Sequence, residues 1–100
     1  MLNAAHHILA RANEPAIRSR TAIHYAKAGR ITRVSYAEFA SLVNRAANAL
    51  KQLGAQRGER IPVLMNDSPL SAATMLAAML IGAVPIPTNT KLHQIGRAHV

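Results

Sequence analysis

The chain has 100 residues and half of them are hydrophobic, which is enough for the core of one small domain and excludes an intrinsically disordered protein. It contains no cysteine, which excludes a disulfide framework and a thiolate metal site. The absence of disulfides fits the reducing cytoplasm. The chain has twelve Lys and Arg residues and only four acidic residues. Ten of the cations are spread singly over residues 1–60, and only three residues are aromatic. This pattern favours a solvated basic surface over a nucleic-acid-binding surface.

The first predicted elements are a helix and a hairpin. Residues 3–12 have apolar positions at helical spacing, and the helix should end before Pro15 because the residue preceding a proline avoids the helical region. Two short runs of β type, 22–26 and 31–34, flank residues 27–30. A four-residue connection that contains glycine between two such runs predicts a β-hairpin.

The next element is the most clearly marked helix. Ser35 and Glu38 have the S-x-x-E spacing of a capping box, in which each side chain satisfies one free amide of the first turn. Gly54 is placed as a helix C-terminal signal, so a helix is predicted over 36–53. Its apolar stripe is Phe39, Leu42, Val43, Ala46, Leu50 and Leu53. Its solvated face is expected to carry Asn44, Arg45 and Asn48.

A polar loop over 54–60 leads to a predicted buried strand over 61–65. Pro62 is tolerable in this strand only at its start or on a sheet edge. Asp67 or Ser68 should cap the following helix, with Pro69 at its first position.

That apolar helix is expected to run to Gly82, with residues 83–87 as the next strand. Strand, helix and strand with tight turns predict a βαβ unit with two parallel strands. The apolar run 70–86 is too short and interrupted for a membrane span, which needs roughly 20 apolar residues. Parallel sheets are covered on both faces, and this sequence has too few helices to cover both. The predicted sheet is therefore incomplete, and its packing partner lies outside the sequence.

The sequence contains few candidates for chemistry. It has no glycine-rich phosphate-binding motif, and Gly54 and Gly58 are interpreted as turn residues. His6 and His7 are adjacent, so on a helix they point about 100° apart and are poorly placed to share a metal. Asp67 is better explained as a cap than as a general base. We therefore assign no catalytic, cofactor-binding or metal-ligating residue within residues 1–100.

Five short motifs nevertheless occur in a consistent order. They are Val34–Phe39, Val43–Leu50 followed by Leu53 and Gly54, Arg57–Ile61, Asn66–Pro69 and Ile81–Pro87. Together they resemble the opening motifs of the adenylate-forming superfamily, which comprises acyl- and aryl-CoA synthetases, nonribosomal adenylation domains and luciferases. The resemblance covers roughly residues 3–92. Asn3–Ala5 and Pro87–Leu92 look most like the benzoate-CoA ligase branch.

The chain departs from the family pattern at two places. Pro62 stands where the family usually has a β-branched residue, so the strand is expected to start one residue late. The family often has Lys or Arg before Gly82, and this chain has Ile81.

The resemblance implies an α/β fold in which residues 1–94 form the N-terminal part of the large adenylate-forming domain. The full-length protein would be a cytoplasmic AMP-forming carboxylate–CoA ligase, using ATP, Mg²⁺ and coenzyme A on a small carboxylate, with an aromatic acid such as benzoate as the preferred interpretation. The family's phosphate loop, adenine motif, ribose-binding Asp and catalytic Lys do not occur in residues 1–100. The fragment alone is therefore expected to be inactive and poorly soluble, with the C-terminal remainder of the same protein as its missing partner.

Residues 95–100 do not continue the family pattern, and we interpret them as a non-native tail translated from sequencing-adapter DNA. Three alternative functions are also considered. The first is a nonribosomal adenylation domain, whose product would be transferred to a carrier protein. The second is a standalone basic module that presents the helix at 36–53 to nucleic acid. The third is a structural scaffold without activity.

Overall fold

The chain folds as a helix, an antiparallel hairpin, a second helix and a parallel βαβ unit, in the order that the sequence predicts. A computed structural model describes residues 4–65 and 68–89. The elements are α1 (Ala4–Ala12), β1 (Thr21–Lys27), β2 (Arg30–Ser35), α2 (Tyr36–Gln52), β3 (Arg60–Met65), α3 (Pro69–Leu80) and β4 (Val84–Asn89). The alternative cap Asp67 and the tail at 95–100 lie outside the described residues.

The hairpin is closed by a turn of two residues. Ala28 and Gly29 have φ values of 53° and 78°, and Lys27 lies directly opposite Arg30. Positive φ at both central residues is the mark of a type I′ turn, whose twist matches that of the two strands. The predicted hairpin is confirmed, and its connection is shorter than expected because Lys27 and Arg30 already belong to the strands.

The predicted capping box at the start of α2 is confirmed. The Ser35 hydroxyl accepts a hydrogen bond from the Glu38 N–H at 3.1 Å, and the Ser35 N–H donates to Glu38 Oε1 at 3.3 Å. At the other end, Leu53 is the C-cap instead of the last helical residue, and 84% of its surface is exposed. Its inclusion in the apolar stripe was wrong. Leu53 lies beyond the last helical residue Gln52 and directly before Gly54, where φ is 93° and the chain leaves the helix.

Replacing Ser35 by Ala should destabilise the chain by about 1 kcal/mol, because the Glu38 N–H loses its acceptor. Urea unfolding followed by circular dichroism would measure the change. Ser41, exposed in the second turn of the same helix, is the matched control, and its replacement by Ala should change stability by less than about 0.5 kcal/mol. Equal effects at the two serines would show that the capping interaction contributes nothing.

The core lies where α1, β2, α2 and α3 meet. Its buried residues are Leu9, Ala12, Val34, Phe39, Ala40, Val43, Ala47, Ala73 and Ala77. Five of these nine side chains are alanines, and four of the alanines lie on α2 and α3. Such small side chains let the two helices approach closely, so the core depends on fit as well as on apolar area.

The two parallel strands pair from Arg60 opposite Val84 to Met65 opposite Asn89. β3 therefore starts one residue before the predicted strand, and the expected delay at Pro62 was wrong. The Val84 N–H donates to the Glu59 carbonyl at 2.8 Å. The N–H and C=O groups of successive strand residues point alternately to the two sides of the strand. Since the Glu59 carbonyl faces β4, the backbone groups of Ile61 also face β4, and those of Pro62 face away from it. The nitrogen of Pro62, which carries no hydrogen, therefore faces the outer edge of β3, and the hydrogen bonds between β3 and β4 are unaffected.

The same alternation applies to β4. Val84 and Ile86 direct their backbone groups towards β3, so Pro85 and Pro87 point to the outer edge of β4. All three prolines of the sheet therefore leave the ladder between the strands intact and remove donors from the outer edges. Such edges are poor templates for adding another strand.

One face of the parallel pair is covered by α3, and the described residues leave the other face largely exposed. Leu64, Val84 and Ile86 on the open face are 58%, 50% and 42% exposed. Parallel sheets are normally buried on both faces. Within the described residues, the prediction of an incompletely covered sheet is confirmed. In the part of the chain that the structure describes, no helix is long and apolar enough to cross a membrane.

Candidate functional site

The carboxyl ends of β3 and β4 lie at one edge of the sheet because the strands are parallel. Ligands of open α/β sheets bind outside the carboxyl ends of the strands, so this edge is the first place to look for a site. α3 starts at the same edge, with Ser68 as its N-cap and Pro69 in its first turn. We refer to the end of β3 and the first turns of α3 as the carboxyl-edge site.

Ser71 is the polar centre of the carboxyl-edge site. Its hydroxyl donates to the Leu64 carbonyl at 3.3 Å and lies 3.3 Å from the Ser68 hydroxyl. The Ser71 N–H also donates to Ser68 Oγ at 3.3 Å, as expected for an N-cap. Ser71 is buried, and a buried hydroxyl without a hydrogen-bond partner would destabilise the fold. These hydrogen bonds offset the loss of hydration. They join the first turn of α3 to the end of β3.

An open depression of about 260 Å³ lies beside these residues. Its lining comprises Pro62, Val63, Leu64, Ser68, Leu70, Ser71 and Thr74. The Thr74 hydroxyl is engaged with the Leu70 carbonyl at 2.7 Å. Among the described lining residues no side chain is titratable, so none of them is a general acid or base or could activate a serine. The described part of the depression offers hydroxyl and apolar groups.

The residues considered as candidates for chemistry are not brought together by the fold. His6 lies on α1, and Asn44, Arg45 and Asn48 lie exposed on α2 as predicted. Among the described residues, no cluster of three or more His, Cys, Asp or Glu side chains could hold a metal ion. The described residues of the five sequence motifs therefore need an explanation other than a shared catalytic or metal site.

Two of the motifs meet at the amino end of the parallel pair, a contact that sequence reasoning missed. The Gly58 N–H donates to the Gly82 carbonyl at 2.8 Å, and Glu59 accepts from Val84 as described above. The Arg57 side chain lies over Gly82, where a Cβ atom would be 3.0 Å from Arg57 Cγ. Glycines in both motifs, at φ 82° and 83°, were the signal that could have indicated close backbone approach.

The motifs thus have structural roles in this part of the chain. Ser35 and Glu38 cap α2, and Ser68 with Pro69 begins α3. The segments around Gly58 and Gly82 set the register of β3 and β4.

Comparison with known proteins identifies the family to which these motifs belong. The sequence profile of the AMP-binding enzymes matches residues 10–100. The chain belongs to the AMP-binding enzyme family. The structure supports the same assignment, since 91% of this AMP-binding chain superposes on the N-terminal domain of FACL13 from Mycobacterium tuberculosis with a TM-score of 0.77 and 31% identity.

Two curated relatives show the range of the family. This AMP-binding chain is 49% identical over 59 residues to a 3-hydroxybenzoate–CoA ligase of Aromatoleum sp. (strain CIB), and the match covers 59% of the chain and 11% of that ligase. It is 39% identical over 83 residues to an acetyl-coenzyme A synthetase of Streptomyces coelicolor, covering 82% of the chain and 13% of the synthetase. The chain also spans only 22% of the FACL13 structure. Most of the length of these relatives has no counterpart here.

Proposed function

We propose that the chain is the N-terminal portion of an AMP-forming acyl- or aryl-CoA ligase. In the full-length protein a carboxylate would attack the α-phosphate of ATP to give an acyl-adenylate and pyrophosphate, and the thiol of coenzyme A would then displace AMP. The observation that carries the proposal is the family match over residues 10–100. The 3-hydroxybenzoate–CoA ligase supports an aromatic acid as substrate, whereas the acetyl-coenzyme A synthetase shows that the family also contains ligases for a short aliphatic acid.

The part of the chain that the structure describes would serve this enzyme as a scaffold. Phosphoryl and adenylyl chemistry needs cations and oriented donors around the phosphates. Among the described residues, the lining of the carboxyl-edge site offers hydroxyl and apolar side chains and no cation that could contact a triphosphate. We derive no catalytic step through these residues, and we propose that ATP, Mg²⁺ and coenzyme A are held by residues outside this chain.

The decisive experiment is to extend the source DNA beyond the codon of His93 and to express the complete reading frame. Pyrophosphate release with benzoate, 3-hydroxybenzoate and acetate should be highest with an aromatic acid, and thioester formation should require coenzyme A. The 100-residue chain, assayed in parallel, should be inactive. The same DNA tests the proposal that residues 95–100 are a non-native tail, because adapter-derived codons would be absent from the genomic sequence.

Three outcomes would contradict parts of this proposal. Adenylate formation without any coenzyme A thioester would favour a nonribosomal adenylation domain. Faster reaction with acetate would exclude the preference for aromatic acids. A genomic stop codon directly after Val100 would refute the ligase function and leave a small binding or scaffold protein.

A further inference from the structure

The hairpin carries a cationic surface. Between Glu14 and Glu38 the sequence contains no acidic residue. The same stretch contains Arg18, Arg20, Lys27, Arg30 and Arg33, and all five side chains are exposed. This uncompensated positive charge runs along the hairpin and its entry segment.

The pairing of the strands places these charges beside an apolar side chain. Ile23 lies opposite Val34, which is buried against the core, so this face of the hairpin points inwards. Side chains alternate along a strand, so Ile31 and Arg33 of β2 lie on the other, solvent face. Ile31 is 75% exposed. The solvent face thus presents an isoleucine and an arginine two positions apart.

The backbone of the same two residues is directed outwards. In a hairpin with a two-residue turn the closing pair, here Lys27 and Arg30, is hydrogen bonded across the strands, and bonded pairs alternate with non-bonded ones. The N–H and C=O groups of Ile31 and Arg33 therefore point away from β1. No proline interrupts β2, in contrast to the proline-blocked edges of β3 and β4.

Two further features place positive charge around this edge. Lys27 opposite Arg30 is a like-charged cross-strand pair, an arrangement that destabilises an isolated hairpin. Arg18 and Arg20 lie at the base of the hairpin, where their carbonyls accept from the Ala37 and Tyr36 N–H groups at 3.0 and 2.9 Å. Lys27 and Arg30 project on the face opposite Ile31 and Arg33, so they add positive charge near the turn, and the exposed side chains of Arg18 and Arg20 add it at the base.

We propose that the outer edge of β2 binds an extended acidic peptide as an added strand. An acidic residue of the peptide lies beside Arg33, and an apolar residue two positions along covers Ile31. Strand addition uses backbone hydrogen bonds for affinity and alternate side chains for specificity. A nucleic acid would satisfy the cations but has no stacking aromatic on this face, because Tyr25 lies on the inward face and is half-buried. The inference is independent of the proposed ligase function.

A titration of the 100-residue chain with a synthetic peptide tests this surface. The probe is Glu-Thr-Val-Thr-Glu-Thr-Val-Thr, and binding is followed by NMR together with amide hydrogen exchange. Saturable binding should slow the exchange of the Ile31 and Arg33 amides. Arg33→Ser and Ile31→Ser should each weaken binding about fivefold, the loss expected for one exposed charge contact or one small apolar contact. Arg45→Ser, an exposed cation on α2, is the matched control and should bind like the unmodified chain.

Each contrary result overturns the proposal. A lack of saturable binding, unchanged exchange at Ile31 and Arg33, or an equal loss in Arg45→Ser would show that the edge is not a docking surface. Equal binding of a peptide with Lys in place of Glu would remove the electrostatic basis. Tighter binding of an oligothymidylate of eight nucleotides, with the same dependence on Arg33, would assign the surface to nucleic acid instead. None of these results depends on ligase activity.

Discussion

Replacement of Phe39 by Ala is expected to lower the free energy of unfolding by about 3–5 kcal/mol, the largest effect of any single truncation among the described residues. Phe39 is the only phenylalanine in the sequence and is buried in the core cluster, where the other large members are Leu9, Val34 and Val43. The remaining buried members of the cluster are alanines, which are too short to fill the space that the ring leaves. Complete native domains are stabilised by about 5–15 kcal/mol, so a loss of this size is a large share of the stability of any small fold.

Urea unfolding monitored by circular dichroism would measure this loss. Leu53→Ala is the matched control, because it removes a large apolar side chain from the other end of the same helix where 84% of its surface is exposed. The control should change stability by less than about 0.5 kcal/mol. Similar losses for the two variants would contradict the placement of the core on the face of α2 that carries Phe39.

Replacement of Gly82 by Ala is expected to cost about 1–2 kcal/mol from the backbone alone, because φ is 83° and this region is unfavourable for residues with a Cβ atom. A further loss should come from contact with Arg57, whose Cγ lies 3.0 Å from the position of the new Cβ. The variant should also loosen the pairing of β3 and β4, because the Gly82 carbonyl accepts from Gly58.

The backbone and contact contributions can be separated with two further variants. Gly54 has a similar φ of 93°, but no atom lies within 4 Å of the position that a Cβ would occupy there, so Gly54→Ala reports the backbone cost alone. In an Arg57→Ala background, Gly82→Ala should cost no more than Gly54→Ala does. Unfolding in urea measures all of these values. If the excess loss persists without the Arg57 side chain, the contact is not its cause.

The sequence predicted the local structure well because its signals are local. The S-x-x-E pattern at Ser35, the turn around Gly29 and the proline at Pro69 each determine a few neighbouring backbone angles, and all three were found where expected. Element ends were less accurate. Leu53 continues the helical spacing of apolar residues, and spacing alone does not show that the helix has already ended.

Pro62 shows why strand pairing was harder to predict. Whether a proline interrupts a ladder depends on which side its missing N–H faces, and that side is set by the partner strand and its register. The contact between Arg57 and Gly82 was missed for a related reason, since it joins two loops separated by a whole helix. The carboxyl-edge site could not be predicted either, because its described lining residues are aliphatic, proline and hydroxyl residues that carry no chemical signature.

The positions of Pro62, Pro85 and Pro87 also determine how copies of this chain could meet through the parallel pair. Their outward carbonyls can still accept, but an approaching strand would find no donor at these three positions and would lose one of the two ladder hydrogen bonds at each of them. Exchange of strands between molecules, or their stacking into fibrils, would therefore gain little at this sheet. The open face that carries Leu64, Val84 and Ile86 has no such protection. At high concentration, copies of the chain should aggregate amorphously through this apolar face. Charged substitutions on that face should therefore raise the solubility more than changes along the strand edges.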